Sequence, residues 1–107
     1  MKLRTGIMIA VGASAAAVLV WANGWYEAYV AADKACLRAR VGEPAERAKT
    51  HMHEIAASRG TEVRESGERS TAVFRWMFSD VAACTFVARD GKIIEVRVGT
   101  RALGAAR

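Results

Sequence analysis

No acidic residue precedes Glu27 or follows Glu95, and no charge of either sign falls between Thr5 and Tyr26. The chain has no glycine-rich loop of the kind that cradles a phosphate, and its only histidines are His51 and His53. These absences exclude a good deal. Nucleophilic catalysis needs a base within hydrogen-bond reach of an activated serine or cysteine. Both histidines fall on one predicted helix, while the serines sit mostly in turns (Ser66, Ser79) or at a helix end (Ser58). Strand periodicity turns no pair of carboxylates toward the predicted core, and Asp80 and Asp90 read as turn residues. No residue is therefore a candidate catalytic group, and a non-enzyme is expected. A helical metal site would favour histidines at i and i+4. His51 and His53 are two positions apart, about 200° around a helix, so "THMHE" supplies no ligand set. No metal or cofactor is expected, and whether either histidine binds anything stays open.

What is present includes a net charge of +5. A basic chain suggests nucleic acid, but only where the cations cluster on one face. From Glu27 to Arg97, 11 acidic residues interleave with 12 basic ones, and the surplus lies at the ends in Lys2, Arg4, Arg101 and Arg107. Nucleic-acid binding is not expected.

The start of the chain, "MKLRTGIMIAVGASAAAVLVWA", has the layout of a bacterial export segment: a basic beginning, then the uncharged run. Two fates fit it. A peptidase could cut after Ala22, with Val20 and Ala22 as the small residues at the cleavage positions, leaving a soluble periplasmic domain. Alternatively residues 5–26 stay as an anchor across a hydrocarbon core of ~30 Å, with Trp21, Trp25 and Tyr26 as an outer aromatic belt. The anchor, in the inner membrane, is the preferred reading. Residues 1–22 are then the export signal or transmembrane anchor, residues 23–99 a small extracytoplasmic domain, and residues 100–107 a flexible tail.

Past Gly24, the residues Trp25, Tyr29, Ala32, Cys36 and Ala39 make one helical stripe to about Arg40. Gly42 and Pro44 separate it from a second helix, "PAERAKTHMHEIAASRG", which buries Ala45, Ala48, Met52, Ile55 and Ala56 and ends at Gly60. From Thr61 the period becomes two, and "TEVRE", "STAVFRWMF", "VAACTFVA" and "KIIEVRV" read as an antiparallel meander whose first strand is an edge.

The last hairpin admits two registers. A two-residue loop at Asp90-Gly91 sets Phe86 opposite Glu95. A three-residue turn ending in a Gly91 bulge pairs Phe86 with Ile94 and Cys84 with Val96. Only the second gives a wholly apolar face, so it is the expected register. With a three-residue loop between the second and third strands, that face gathers Phe74, Trp76, Phe78, Ala82, Cys84, Phe86, Ile94, Val96 and Val98.

The expected fold is α+β: an N-terminal signal or anchor helix, then two helices packed on one face of a three- or four-stranded antiparallel β-meander. The arrangement is similar to that of small envelope proteins with a helical pair and a meander, and no motif carries a residue role over from them. Cys36 and Cys84 fall on faces that should meet, and in an exported domain of this size they are expected to form a disulfide. The opposite sheet face would expose Val73, Met77, Val87 and Ile93, rimmed by Arg75, Glu95 and Arg97, as a docking surface for a protein partner. The expected function is that of a non-enzymatic envelope accessory or interaction protein. The competing reading is a periplasmic small-ligand or metal-binding protein.

Overall fold

One helix, α1 (Lys2–Ala35), is 34 residues long and joins the apolar segment to the domain without a break. It dominates the outline of the computed structural model, which describes residues 2–106 and measures 72 × 22 × 19 Å. Met1 and Arg107, the outermost residues of the expected export segment and tail, lie outside the described residues. After α1 come α2 (Ala45–Ser58), β1 (Val63–Ser66), β2 (Arg69–Trp76), β3 (Ser79–Arg89), β4 (Lys92–Gly99) and α3 (Ala102–Ala106). The four strands form one antiparallel sheet in chain order, with β1 at an edge. The α+β meander is thus as expected. The division at residues 22 and 23 is not a structural one, because α1 runs through it.

The second half of α1 and all of α2 lie on one face of the sheet. The stripe they bury is alanine-rich: Ala28, Ala31, Ala32, Ala35, Ala45, Ala48 and Ala56 are all buried. Alanine costs no side-chain entropy and lets a helix approach the strands closely. Phe74, Phe86, Met52 and Ile93 fill the space between the layers. Tyr29, expected on the stripe, is instead on its margin, 45% exposed. The segment between the helices also does structural work. The Gly42 N–H donates to the Ile93 carbonyl (2.7 Å), Ile93 N–H to Glu43 (2.9 Å) and Ala45 N–H to Gly91 (2.8 Å). Residues 42–45 thereby cover the start of the β4 edge, which would otherwise be open to another strand.

Two bulges correct the expected registers. At the β3–β4 hairpin, Arg89 pairs with Lys92, which leaves Asp90 and Gly91 as a two-residue turn. Their φ values of 55° and 77° match the paired left-handed residues of a type I′ turn. A shift between Val87 and Ala88 follows, so Phe86 pairs with Val96 and Cys84 with Val98. The turn is that of the rejected register, and the extra residue sits farther along β4, at Ile94. The bulge turns Ile93 into the core, 1% exposed, and leaves Ile94 outside at 44%. At the β2–β3 hairpin the same thing happens: the expected three-residue loop is a two-residue turn, Met77-Phe78, with a shift between Phe74 and Arg75. Phe78, expected in the core, is fully exposed at its tip.

The tail is the third correction. Gly99 takes φ +95°, and the chain then forms α3, which packs on β3 with lesser contact to β4 and β2. Its Ala102 is buried, as are Thr71, Ala83 and Thr85. These three alternate along their strands with Ala72, Ala82, Cys84 and Phe86 of the helix side, so α3 covers the other face. The segment "ALGAA" is too short and too uniform to show a period, so the sequence alone gives no sign of the helix.

The type I′ turn permits a direct check. A Cβ at Gly91 would meet nothing within 4 Å, so only the left-handed backbone opposes a side chain there. Gly91→Ala should therefore lower stability by about 1 kcal/mol, read as a shift in denaturant midpoint at unchanged slope.

Candidate functional site

Cys36 lies in the turn that ends α1 and Cys84 in the centre of β3, with Cα atoms 5.6 Å apart and the sulfurs at bonding distance. The separation lies within the range a disulfide spans without moving the backbone. Because Cys84 pairs with Val98 on one side and Ala72 on the other, the bridge ties α1 to the middle of the sheet. The pairing Cys36–Cys84 is as expected.

The expected docking surface is not assembled. Val73 and Val87 do lie on the face away from α1 and α2, each half-buried. Ile93 is on the opposite side, in the core, because of the β4 bulge, and Met77 is in the β2–β3 turn. Between the two valines the face is polar. Thr85 Oγ1 donates to Thr71 Oγ1 at 3.1 Å in a buried pair, and Arg97 Nε meets Glu95 Oε1 at 2.7 Å. Over Ala83 the face is closed by α3. Parity inverts at the β4 bulge, and the bulge in β3 lets the β2–β3 hairpin close tightly at Met77, so neither Ile93 nor Met77 could be placed correctly without seeing the bulges.

The histidines part company as their spacing implies. His51 Nε2 donates to the Lys34 carbonyl at 2.7 Å, a second hydrogen bond to a carbonyl at the end of α1 that also accepts from Leu37 N–H at 3.1 Å. His53 Nε2 is 3.7 Å from Glu65 Oε1 in an exposed pair. Among the described residues no three His, Cys, Asp or Glu side chains gather closely enough to hold a metal ion. His51 does border an open depression of about 380 Å³ with Arg38, Glu46, Arg47, Thr50 and Glu54.

A larger groove, about 540 Å³, opens at the end of the sheet nearest the apolar half of α1. Gly24 and Glu27 of α1, Arg59 after α2, Trp76 and Asp80 of the β2–β3 hairpin and Leu103 of α3 border it. Arg59 braces it by donating to the Glu27 carbonyl at 3.1 Å and pairing with the Glu27 carboxylate at 3.8 Å. The indole of Trp76 packs against Gly24, and its buried Nε1 finds no hydrogen-bond partner among the described residues. None of this was read from the sequence. The only signal available was Gly24, a glycine inside a helical stretch, which often marks a close approach.

Compared with known proteins, the chain matches no family model, no curated protein and no solved structure. What is established is coarser than a function. Residues 6–35 form a helix long and apolar enough to cross a membrane, a property shared by anchors and export signals, and the cysteine pair points to an oxidising compartment.

Proposed function

We propose that the protein is a non-enzymatic accessory module of a bacterial envelope, exported, kept in the inner membrane by residues 5–26, and acting by contact with another envelope protein. The continuity of α1 carries this reading. The helix that can cross a bilayer is the same one that lines the domain core, so height and orientation over the membrane are fixed together. From Thr5 to Tyr26 it rises about 33 Å, enough for a hydrocarbon core of ~30 Å. Trp21 and Trp25, with ring centroids 5.5 Å apart, then fall at the outer interface. Retention gains support from Gly24, which is packed under Trp76 only two residues after the cleavage point at Ala22. A domain held rigidly in this way suits recognition of a neighbour at the membrane surface.

A reporter that folds only in the periplasm, fused after Arg107, should be active and sediment with membranes. The untagged chain should keep its N-terminal segment by mass. A mature chain starting at Asn23 would reject retention, and an inactive fusion would reject export. Detergent-solubilised protein should carry an envelope protein with it through purification, and its absence after crosslinking would reject the contact role.

The second reading, small-ligand binding in the periplasm, draws on the depression beside His51, where both signs of charge face open solvent. A saturable thermal shift with one small-ligand or divalent-metal class, lost in His51→Ala, would favour it over the first.

A further inference from the structure

We infer that the β2–β3 turn, Met77-Phe78, is a second membrane contact that dips into the outer leaflet beside the aromatic belt of α1. The inference rests on the reading of residues 5–26 as a retained anchor. The direction of β2 relative to α1 decides the position. Ala72 is paired with Cys84, which is bridged to Cys36. Farther along β2, Trp76 lies against Gly24. Going from Ala72 to Trp76, about 13 Å of strand, therefore corresponds to going back along α1 from Cys36 to Gly24, about 18 Å of helix. The turn continues in that direction, past Gly24 and toward Trp21.

The residues at the tip are those a bilayer would select. Phe78 is 100% exposed and Met77 68%, beside a belt in which Tyr26 is 66% and Trp21 50% exposed. The other two hairpin turns, Gly67-Glu68 and Asp90-Gly91, lie together at the far end of the sheet, where Ala88 N–H donates to the Glu68 carbonyl at 2.8 Å. Both use glycine and an acidic residue. The membrane-side turn has neither and instead holds Met77 at φ 58°, a left-handed conformation that a bulky side chain adopts at an energetic cost. Phe78, fully exposed, is not held there by packing within the domain. Directly behind the tip, Arg75 and Asp80 pair across the strands and keep charge at headgroup level. Insertion is therefore shallow, limited to the turn, where water and headgroups can still satisfy its backbone. Trp21, Tyr26, Met77 and Phe78 would form one interfacial ring around the anchor.

Spin-label accessibility on the full chain in vesicles of phosphatidylcholine and phosphatidylglycerol (3:1) tests this. Because Cys36 and Cys84 are paired, a third cysteine can be labelled alone, in Val18→Cys, Ser79→Cys or Glu68→Cys. The ratio of oxygen to nickel-chelate accessibility should be several-fold higher at 79 than at 68 and approach that at 18. Adding Phe78→Asp to Ser79→Cys should return the ratio to the value at 68. If position 18 reads lipid while 79 reads water, the tip contact is wrong and the anchor stands. If 79 is shielded from both probes, the tip meets protein, and the inference is equally overturned. If position 18 itself reads water, the anchor reading has failed and takes the tip with it.

Discussion

Cys84→Ser should lower the thermal midpoint of the oxidised protein by on the order of 20 °C, the largest effect expected of any exposed or buried single change outside the aromatic core. The bridge joins residues 48 apart in sequence. Closing a loop of that length in the unfolded chain removes entropy equivalent to about 4 kcal/mol on the chain-entropy model. For a folded part of fewer than a hundred residues, each kcal/mol moves the midpoint by about 4–8 °C. Serine adds a second loss, because Cys84 is wholly buried among Phe74, Phe86 and the alanines of α1. A hydroxyl left there without a partner costs about 1–3 kcal/mol. The two terms can be separated. Reducing the unaltered protein removes only the cross-link, whereas Cys84→Ser removes the cross-link and buries the hydroxyl. Cys36→Ser, nearer the surface at 8% exposure, should fall between them. A shift under about 5 °C for all three would mean that the bridge does not form in the exported protein.

The cysteine pairing and the order of elements were legible because they rest on long-range regularities. The helical stripe ending in Cys36 and the alternation around Cys84 each point one face inward, and two inward faces in a small α+β domain must meet. The long apolar helix was legible for a similar reason, since an uncharged run from Thr5 to Tyr26 has the length and composition of a membrane-crossing or export segment. What escaped were features with no periodicity. A bulge is one residue of extra chain, and nothing in "DGKIIEVRV" distinguishes Ile93 from Ile94 as the side chain that turns inward. Both hairpins close with tight turns and absorb the misfit inside the ladder, after Phe74 in one and after Val87 in the other. The β4 bulge inverted the face of Ile93, and the tight β2–β3 turn took Met77 out of its strand, which removed both from the docking surface while leaving Val73 and Val87 in place. The helix α3 escaped because its residues are small, and it covers a sheet face that had been reckoned as free. The membrane-side groove escaped because it exists only where α1, both hairpin strands and α3 converge.

Gly24→Ala should destabilise the domain by about 1 kcal/mol, the overpacking cost less the helix-propensity gain, although the same change inside most helices is favourable. Alanine is preferred over glycine in a helix interior by about 1 kcal/mol, and Gly24 lies well inside α1. The site itself reverses the sign. A Cβ at position 24 would fall within the indole of Trp76, so that one of the two must shift. Relief requires Trp76 to swing out or α1 to lift from the sheet, and overpacking of this kind typically costs 1–3 kcal/mol. At Gly12, where a Cβ meets nothing, alanine should leave the domain transition unmoved. The decisive comparison is a double-mutant cycle. In a Trp76→Ala background the obstruction is gone, so Gly24→Ala should become neutral or stabilising, and denaturant titration of the four proteins would reveal the change of sign. If alanine at 24 stabilises the domain even with Trp76 present, the indole does not rest on α1. The end of β2 would then lie at some other height along the helix, and the turn that follows it would lose its place at the membrane surface.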